Sequence, residues 1–345
     1  MANMSGNQAV LYAALAGNLL VAATKFIAAG LTGSSAMLSE GVHSLVDTGT
    51  EMLQLYGLRQ SRAPADLERP LGYGREAYFW NFIVALLVFA LGAGVSLYQG
   101  ITHLRNPVPM DDPAINYVVL ALAFVFEGIS WWVAMKAVRA SKGSQGYIEA
   151  IRKSKDPATF TVLLEDSAAL VGLVIAFAGI LASQVFARPE FDGAASIGIA
   201  VVLAVTSIFL ARETKDLLMG EPAHPRVRAS ILRIAGEDPA AARANGVLTV
   251  QMGPEDVLAA LSVAFHNHLT ALEIEAAVRR IEDAIKRAHP EITTLFVKPQ
   301  TGEDWRKRYA KLASASEGSD ADNTIANRPS PPPASPASPS DRSLS

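Results

Sequence analysis

Six stretches of this chain are long and apolar enough to cross a lipid bilayer, and they constrain the fold more than any other feature. The hydrocarbon core of a bilayer is about 30 Å thick, so a helix that crosses it needs about 20 predominantly apolar residues. The stretches that meet this requirement are residues 9–31, 34–58, 78–101, 115–138, 159–184 and 193–211. The sequence therefore predicts an α-helical membrane domain with six transmembrane helices.

The basic residues of the connecting loops predict how this domain is oriented. The loops at 59–77 and 139–158 contain nine Lys or Arg residues, whereas the loops on the other side contain only Arg105 and Arg188. Loops rich in Lys and Arg usually remain in the cytoplasm. We therefore expect an integral, multi-pass protein of the plasma membrane or inner membrane, with both termini in the cytoplasm.

Charged residues crowd into the chain after the last apolar stretch, which predicts a soluble C-terminal part. Its predicted elements are a helix at 226–234, strands at 246–252 and 257–265, a helix that begins with a Thr270–Glu273 capping box, and a strand at 293–297. This α-β-β-α-β order predicts a small ferredoxin-like α+β domain with both helices on one face of the sheet.

Composition also shifts near the C-terminus, where Ser, Ala, Asp and Pro dominate. Such a segment buries too little apolar surface to fold, so a disordered tail is predicted. The predicted domains are a transport domain at 1–212, a cytoplasmic domain at 213–300 and the tail at 301–345.

The absence of cysteine and the modest net charge exclude several functions. The formal net charge is −3, which gives no reason to expect nucleic acid as a partner. With no cysteine, disulfides and thiolate metal sites are excluded. A metal would be held by imidazole and carboxylate groups, which favours zinc, manganese, iron(II), cobalt, nickel or cadmium over copper(I).

A polar stripe runs along the second predicted membrane helix. On an α-helix its members fall within about 80° of one another: Glu40, His43, Asp47, Glu51 and Gln54. A carboxylate near the centre of a bilayer costs about 2.5–3.5 kcal/mol, so this stripe must face a partner, water or an ion. His43 and Asp47 are four residues apart and can converge on one ion. The alternative is a His–Asp hydrogen bond that holds helices together.

The fifth predicted membrane helix carries the adjacent acids Glu165 and Asp166. Their side chains point about 100° apart, so they do not face one partner equally well. Asp166 is our first choice as a ligand that completes a site with His43 and Asp47, and Glu165 is its rival; both acids could instead hydrogen-bond neighbouring helices. We expect Lys25 to neutralise one acid.

Four further polar residues lie within the predicted spans, and we assign them structural roles rather than ligand roles. They are Asn18, Lys25, Asn81 and Glu127. Glu127 is expected near a helix end.

The residues resemble those of the cation diffusion facilitator family. The resemblance covers about residues 8–300 and rests on three motifs in order: GSSAMLSEGVHSLVD at 33–47, GYGRE at 72–76 and LLMGE at 217–221. It implies a homodimer that exports divalent cations from the cytoplasm in exchange for protons. The implied cargo is zinc, with manganese, iron(II) and cobalt as further possibilities, and no resident cofactor or enzymatic activity is implied.

The resemblance also implies a four-ligand site, with two residues from the second helix and two from the fifth. His43 and Asp47 match the first pair and Asp166 matches one member of the second. The remaining position is Val162, which cannot bind a metal, so Glu165 is a candidate for the fourth ligand. Tyr73 stands where some members have a histidine, although Asp66 remains.

The cytoplasmic domain departs from the family pattern as well. The segment at 296–298 reads Phe-Val-Lys where the family has metal ligands. We therefore expect this domain to dimerise without a well-formed metal cluster.

Two other functions compete with metal efflux. One is a transporter of the same fold that moves another solute and uses an ion only for coupling. The other is an intramembrane metal-dependent enzyme with Glu40 as its general base, although no second metal-ligand motif accompanies it.

Overall fold

The fold is seen in a computed structural model that describes residues 4–108, 114–141, 146–147 and 154–311. Six long helices occupy the predicted membrane domain. They are α1 (Met4–Thr32), α2 (Ser35–Ser61), α3 (Arg75–Arg105), α4 (Ala114–Ser141), α5 (Pro157–Val185) and α6 (Glu190–Met219). Each of them contains one of the six apolar stretches, and α3 passes through a π-helical segment at Val88–Ala93.

Four of these helices are long and apolar enough to span a bilayer: α3, α4, α5 and α6. The corresponding apolar part of α1 within the described residues is the shorter Asn18–Thr32. The helix α2 carries the polar stripe, which lowers its hydropathy. The chain is therefore an integral membrane protein, and its count of six spans stays a prediction.

The helix α2 lies at the centre of the bundle, in contact with α1, α3, α5 and α6. Ser34 caps its N-terminus by accepting a hydrogen bond from the backbone amide of Met37. Close packing with α5 depends on Gly172, where an added Cβ would lie 2.5 Å from Glu40 Oε1. Small residues at such contacts let membrane helices approach each other closely, and here they bring the polar stripe of α2 against α5.

The sixth helix continues past the predicted domain boundary at 212 and ends at Met219. Gly220 follows with φ +101°, a left-handed conformation that glycine adopts without a steric penalty. The C-terminal elements are α7 (Pro225–Gly236), β1 (Ala241–Gly253), β2 (Asp256–Phe265), α8 (Ala271–Ala288), β3 (Ile292–Pro299) and a last helix, α9, at 302–311. From α7 to β3 the elements follow one another as helix, strand, strand, helix and strand, and a capping box forms at Thr270.

The three strands form one sheet in the order β1-β2-β3, antiparallel between β1 and β2 and parallel between β2 and β3. The strand β1 begins five residues earlier than predicted because Ala241 to Ala244 continue the pairing with β2 as far as Phe265. Ile231 of α7 and Ile281 of α8 pack with the strands in one buried core. The predicted disordered tail at 301–345 is wrong for residues 302–311, which form α9, and the remainder of that segment lies outside the described residues.

The C-terminal domain contacts the loops of the membrane domain at two places. Gly74, at the start of α3, packs against Gly253, and a Cβ added at Gly74 would lie 2.7 Å from the carbonyl oxygen of Met252. Lys155, just before α5, forms an ion pair with Glu221. These contacts tie the N-terminal ends of α3 and α5 to β1 and to the segment after α6.

Candidate functional site

The polar stripe of α2 faces the interior of the helix bundle. Glu40, His43 and Gln54 are buried, and Asp47 and Glu51 are half-buried. Intramembrane ionisable groups are costly in lipid and commonly face a cavity or a partner. The stripe therefore faces other helices and not lipid, as the cost of its charges predicts.

His43 and Asp47 form the close i, i+4 contact that their spacing predicts. His43 Nδ1 lies 3.2 Å from Asp47 Oδ1, with the imidazole almost fully buried and the carboxylate about one-fifth exposed. In the part of the chain that the structure describes, His43 Nε2 has no hydrogen-bond partner. A buried imidazole nitrogen without a partner is available to a ligand.

Glu165 and Asp166 have different neighbours, as their 100° separation on α5 predicts. Glu165 is buried and its Oε2 accepts a hydrogen bond from Gln54 of α2 at 3.3 Å. Asp166 is half-buried and its Oδ2 accepts from Ser130 of α4 at 2.7 Å. Neither acid is therefore committed to an ion pair, and Glu165 Oε1 has no partner among the described residues.

A cavity of about 40 Å³ opens between α1, α2, α4 and α5. Its wall is formed by Asn18, Val21, Ser44, Asp47, Glu51, Phe126, Glu127, Ser130, Val162, Glu165 and Asp166. This volume holds roughly three water-sized probes, since each needs about 10–15 Å³. The cavity is therefore large enough for an ion with little hydration, and its wall carries five carboxylates.

The structure gathers the four predicted ligands at this cavity without forming a coordination shell. Asp47, Glu165 and Asp166 line the wall, whereas His43 lies behind Asp47. Across residues 18–108, 114–139 and 154–311, no group of three His, Asp or Glu side chains is placed so that it could hold a metal ion. These side chains must move closer together to bind one.

Two acids of the wall, Glu51 and Glu127, were not among the predicted ligands. Glu51 accepts a hydrogen bond from Asn18 of α1 at 2.7 Å. The expectation that Glu127 lies near a helix end is wrong, because it stands in the middle of α4. A single acid in an apolar helix indicates that a polar neighbour exists but not which helix supplies it, so sequence periodicity could not place Glu127 here.

Lys25 forms an ion pair with Glu40, whereas the prediction paired it with an acid of the metal site. Both side chains are fully buried, and Lys25 Nζ lies 3.1 Å from Glu40 Oε2. The same ammonium donates to Ser44 Oγ at 2.7 Å and lies 3.8 Å from Glu127 Oε1. This network joins α1, α2 and α4 directly behind the cavity wall.

The loop before α3 uses Asp66 as a structural acceptor. Tyr73 donates its hydroxyl proton to Asp66 Oδ2 at 2.6 Å, and the backbone amides of Glu68 and Arg69 donate to Oδ1. The tyrosine hydrogen bond, followed by the backbone ones, lowers the pKa of Asp66. Both carboxylate oxygens of Asp66, the residue that remained for a loop metal site, therefore already accept hydrogen bonds within the loop.

Comparison with known protein families identifies the membrane domain. A family model described as the cation efflux transmembrane domain matches residues 11–219. The mouse protein named proton-coupled zinc antiporter SLC30A9, mitochondrial, is 31% identical over 252 residues, which are 72% of this chain and 44% of that protein.

Similar proteins also come from a plant and a bacterium. Metal tolerance protein C4 of Arabidopsis thaliana is 30% identical over 68% of this chain and 52% of its own length. The cation-efflux pump FieF of Citrobacter koseri is 25% identical over 77% of this chain and 83% of its own length. The chain spans about half the length of the mouse and plant relatives.

Proposed function

This chain belongs to the cation diffusion facilitator family, and from that premise we propose that it exports a divalent metal cation from the cytoplasm in exchange for protons. Zinc is the proposed cargo, with manganese, iron(II) and cobalt as further candidates. Two relatives support this cargo and mechanism by name, as a proton-coupled zinc antiporter and a cation-efflux pump.

The observation that carries this proposal is the acid-lined cavity between four helices of the membrane domain. Five carboxylates line it, and the buried imidazole of His43 stands behind Asp47. Such a concentration of acids in apolar helices is costly unless a cation or protons occupy it. Imidazole and carboxylate ligands suit zinc, manganese, iron(II) and cobalt.

We assign the metal ligands to His43 and Asp47 of α2 and to Asp166 and Glu165 of α5. Glu165 replaces the ligand that Val162 cannot supply. Its Oε1 is buried, has no hydrogen-bond partner among the described residues and belongs to a side chain on the cavity wall. Asp166 lines the same wall from a position about 100° further round α5.

Proton coupling follows from the chemistry of these ligands. Imidazole and carboxylate groups bind a metal through lone pairs that a proton otherwise occupies, so metal binding releases protons. The site binds the metal from the cytoplasm, releases it on the far side of the membrane and is then reprotonated. Each cycle therefore exchanges a metal ion for protons. The protein then acts as a transporter and not as an enzyme.

The proposal extends to architecture. All six long helices span the membrane, with both termini in the cytoplasm of a plasma or inner membrane, and the C-terminal domain is ferredoxin-like. The transport domain, predicted as 1–212, includes α6 as far as Met219, and the cytoplasmic domain, predicted as 213–300, follows it together with the tail. The functional unit is a homodimer, which the exposed Phe296 on the edge strand β3 supports.

Reconstitution in liposomes tests the proposed transport. The full-length protein is expected to move zinc across the membrane when a pH gradient is applied, as reported by a zinc-sensitive dye, and Asp47→Ala is expected to abolish this flux. Asp216→Ala is the matched control, because Asp216 is about half-exposed near the end of α6 and away from the cavity. Flux that is independent of the pH gradient, or equal in wild type and Asp47→Ala, would contradict the proposal.

A further inference from the structure

Lys25 places a positive charge next to the acid-lined cavity, although it does not line that cavity. It is fully buried on α1. Its ammonium group has three protons to donate and no acceptor capacity. Glu40 and Ser44 take two of them at 3.1 and 2.7 Å. The next acid is Glu127, whose Oε1 is 3.8 Å away.

The two acids around this ammonium differ in their surroundings. Glu40 is fully buried behind the wall, whereas Glu127 is a member of the wall. Glu40 also packs against Gly172 of α5. A Cβ added at Gly172 would lie only 2.5 Å from Glu40 Oε1, so the glycine leaves the space that this carboxylate occupies. The tighter contact of Lys25 is thus with the acid that does not face the cavity.

We propose that Lys25 is a tethered cation that competes with the transported metal for the acids of the cavity wall, Glu127 first, and that Glu40 is the positioning residue that holds it back. This inference rests on the proposed function, since it assigns a metal to the cavity. When Glu40 pairs with the ammonium, Glu127 is available to a cation in the cavity. When that pairing is lost, the ammonium has Glu127 as its nearest acid.

The physical reason is competition between two cations for one carboxylate. Lys25 is attached to the protein, so its local concentration near Glu127 is high and does not depend on dilution. The positive charge of Lys25 also repels a divalent cation in the cavity, and the low dielectric of the surroundings strengthens this repulsion. Glu40 cancels that repulsion by placing a negative charge 3.1 Å from the ammonium.

Zinc binding to variants of the purified full-length protein tests this role. We expect Glu40→Gln to weaken zinc affinity about tenfold, because the uncompensated ammonium then pairs with Glu127. Adding Lys25→Met to Glu40→Gln is expected to restore affinity to within about threefold of wild type. A purely structural pair would also recover in the double variant, because no unpaired buried charge remains. The two roles differ for Lys25→Met alone, which leaves Glu40 buried without its partner and would weaken zinc binding if the network were only structural.

Two single variants complete the set. Zinc binding is measured for every variant by calorimetric titration with zinc chloride, after a thermal unfolding experiment has shown that the protein is folded. Lys25→Met is expected to bind zinc at least as tightly as wild type, and Lys25→Arg is expected to match wild type, because it keeps the cation. Weaker binding by Lys25→Met, unchanged binding by Glu40→Gln, or no rescue in the double variant would overturn the inference. If wild type itself binds no zinc, the proposed function fails instead.

Discussion

Glu165→Gln distinguishes a metal ligand from a hydrogen-bond acceptor at the contact between α2 and α5. The side chain of Glu165 is 6% exposed, and its Oε2 accepts from Gln54 at 3.3 Å. Glutamine has nearly the same shape, and its amide oxygen can accept the same hydrogen bond. The substitution therefore keeps the packing and removes the negative charge that Oε1 presents to the cavity.

The expected size of the effect follows from the role of the removed group. Loss of a residue that only orients a ligand lowers metal affinity about 10–100-fold. Loss of a direct ligand is expected to weaken zinc binding by at least about 100-fold, which is about 2.8 kcal/mol. If Glu165 serves only as the acceptor for Gln54, the isosteric change leaves zinc affinity within about threefold, because the hydrogen bond survives.

Competition between the purified protein and a zinc-binding dye measures this affinity. Glu51→Gln is the matched control, because it makes the same chemical change on the same cavity wall at an acid that Asn18 already engages at 2.7 Å. We expect its affinity to stay within about tenfold of wild type. Wild-type affinity in a folded Glu165→Gln protein would refute the assignment of Glu165 as a ligand.

Three further outcomes are expected. Val162→His places an imidazole four residues before Asp166 on the cavity wall and should tighten zinc binding about tenfold in the same assay; unchanged affinity would show that this position lies outside the coordination shell. Ile281→Ala, in the core of the C-terminal domain, should lower the free energy of unfolding of that domain by about 2–5 kcal/mol, measured by hydrogen exchange of β2 amides; unchanged exchange would contradict this packing. The backbone amide of Thr270 donates a hydrogen bond to Glu273 and lowers its pKa. The cap therefore stabilises α8 fully at pH values above the ordinary pKa of glutamate, and this contribution is lost as the pH falls through the lowered pKa. Hydrogen-exchange protection of the first turn of α8 should fall at acid pH in the wild type, whereas Glu273→Gln should lack this step.

The sequence predicted the helices well because a membrane helix is defined by length and apolarity, which are local properties. Each of the six apolar stretches lies within one long helix. The end of α6 at Met219 escaped prediction, because its last turns carry charged residues and read as the start of a soluble domain. The extension of β1 to Ala241 escaped it too, since pairing with Phe265 depends on a distant strand and not on local pattern.

The candidate site was predictable from α2 and only in part from the other helices. Five polar residues on one helix define a face by themselves, so the positions of His43 and Asp47 follow from periodicity. On α4 the polar companion of Glu127 at helical spacing is Ser130, a hydroxyl that does not by itself mark a functional face. The approach of both residues to the cavity depends on how α4 packs against α1 and α5. The choice between Glu165 and Asp166 likewise depends on packing, because both line the cavity although their side chains leave α5 about 100° apart.

The contact between α2 and α5 links the proposed metal site to the Lys25 network. Gly172 allows α5 to approach Glu40, and further along the same pair of helices, about four turns on α2 and about two on α5, Gln54 donates a hydrogen bond to Glu165. A movement that separates α5 from α2 would therefore pull Glu165 away from Gln54 and leave space beside Glu40 at the same time. Because alternating access requires the cavity to open toward one side and then the other, a rearrangement at this contact would change the metal ligands and the confinement of Glu40 together.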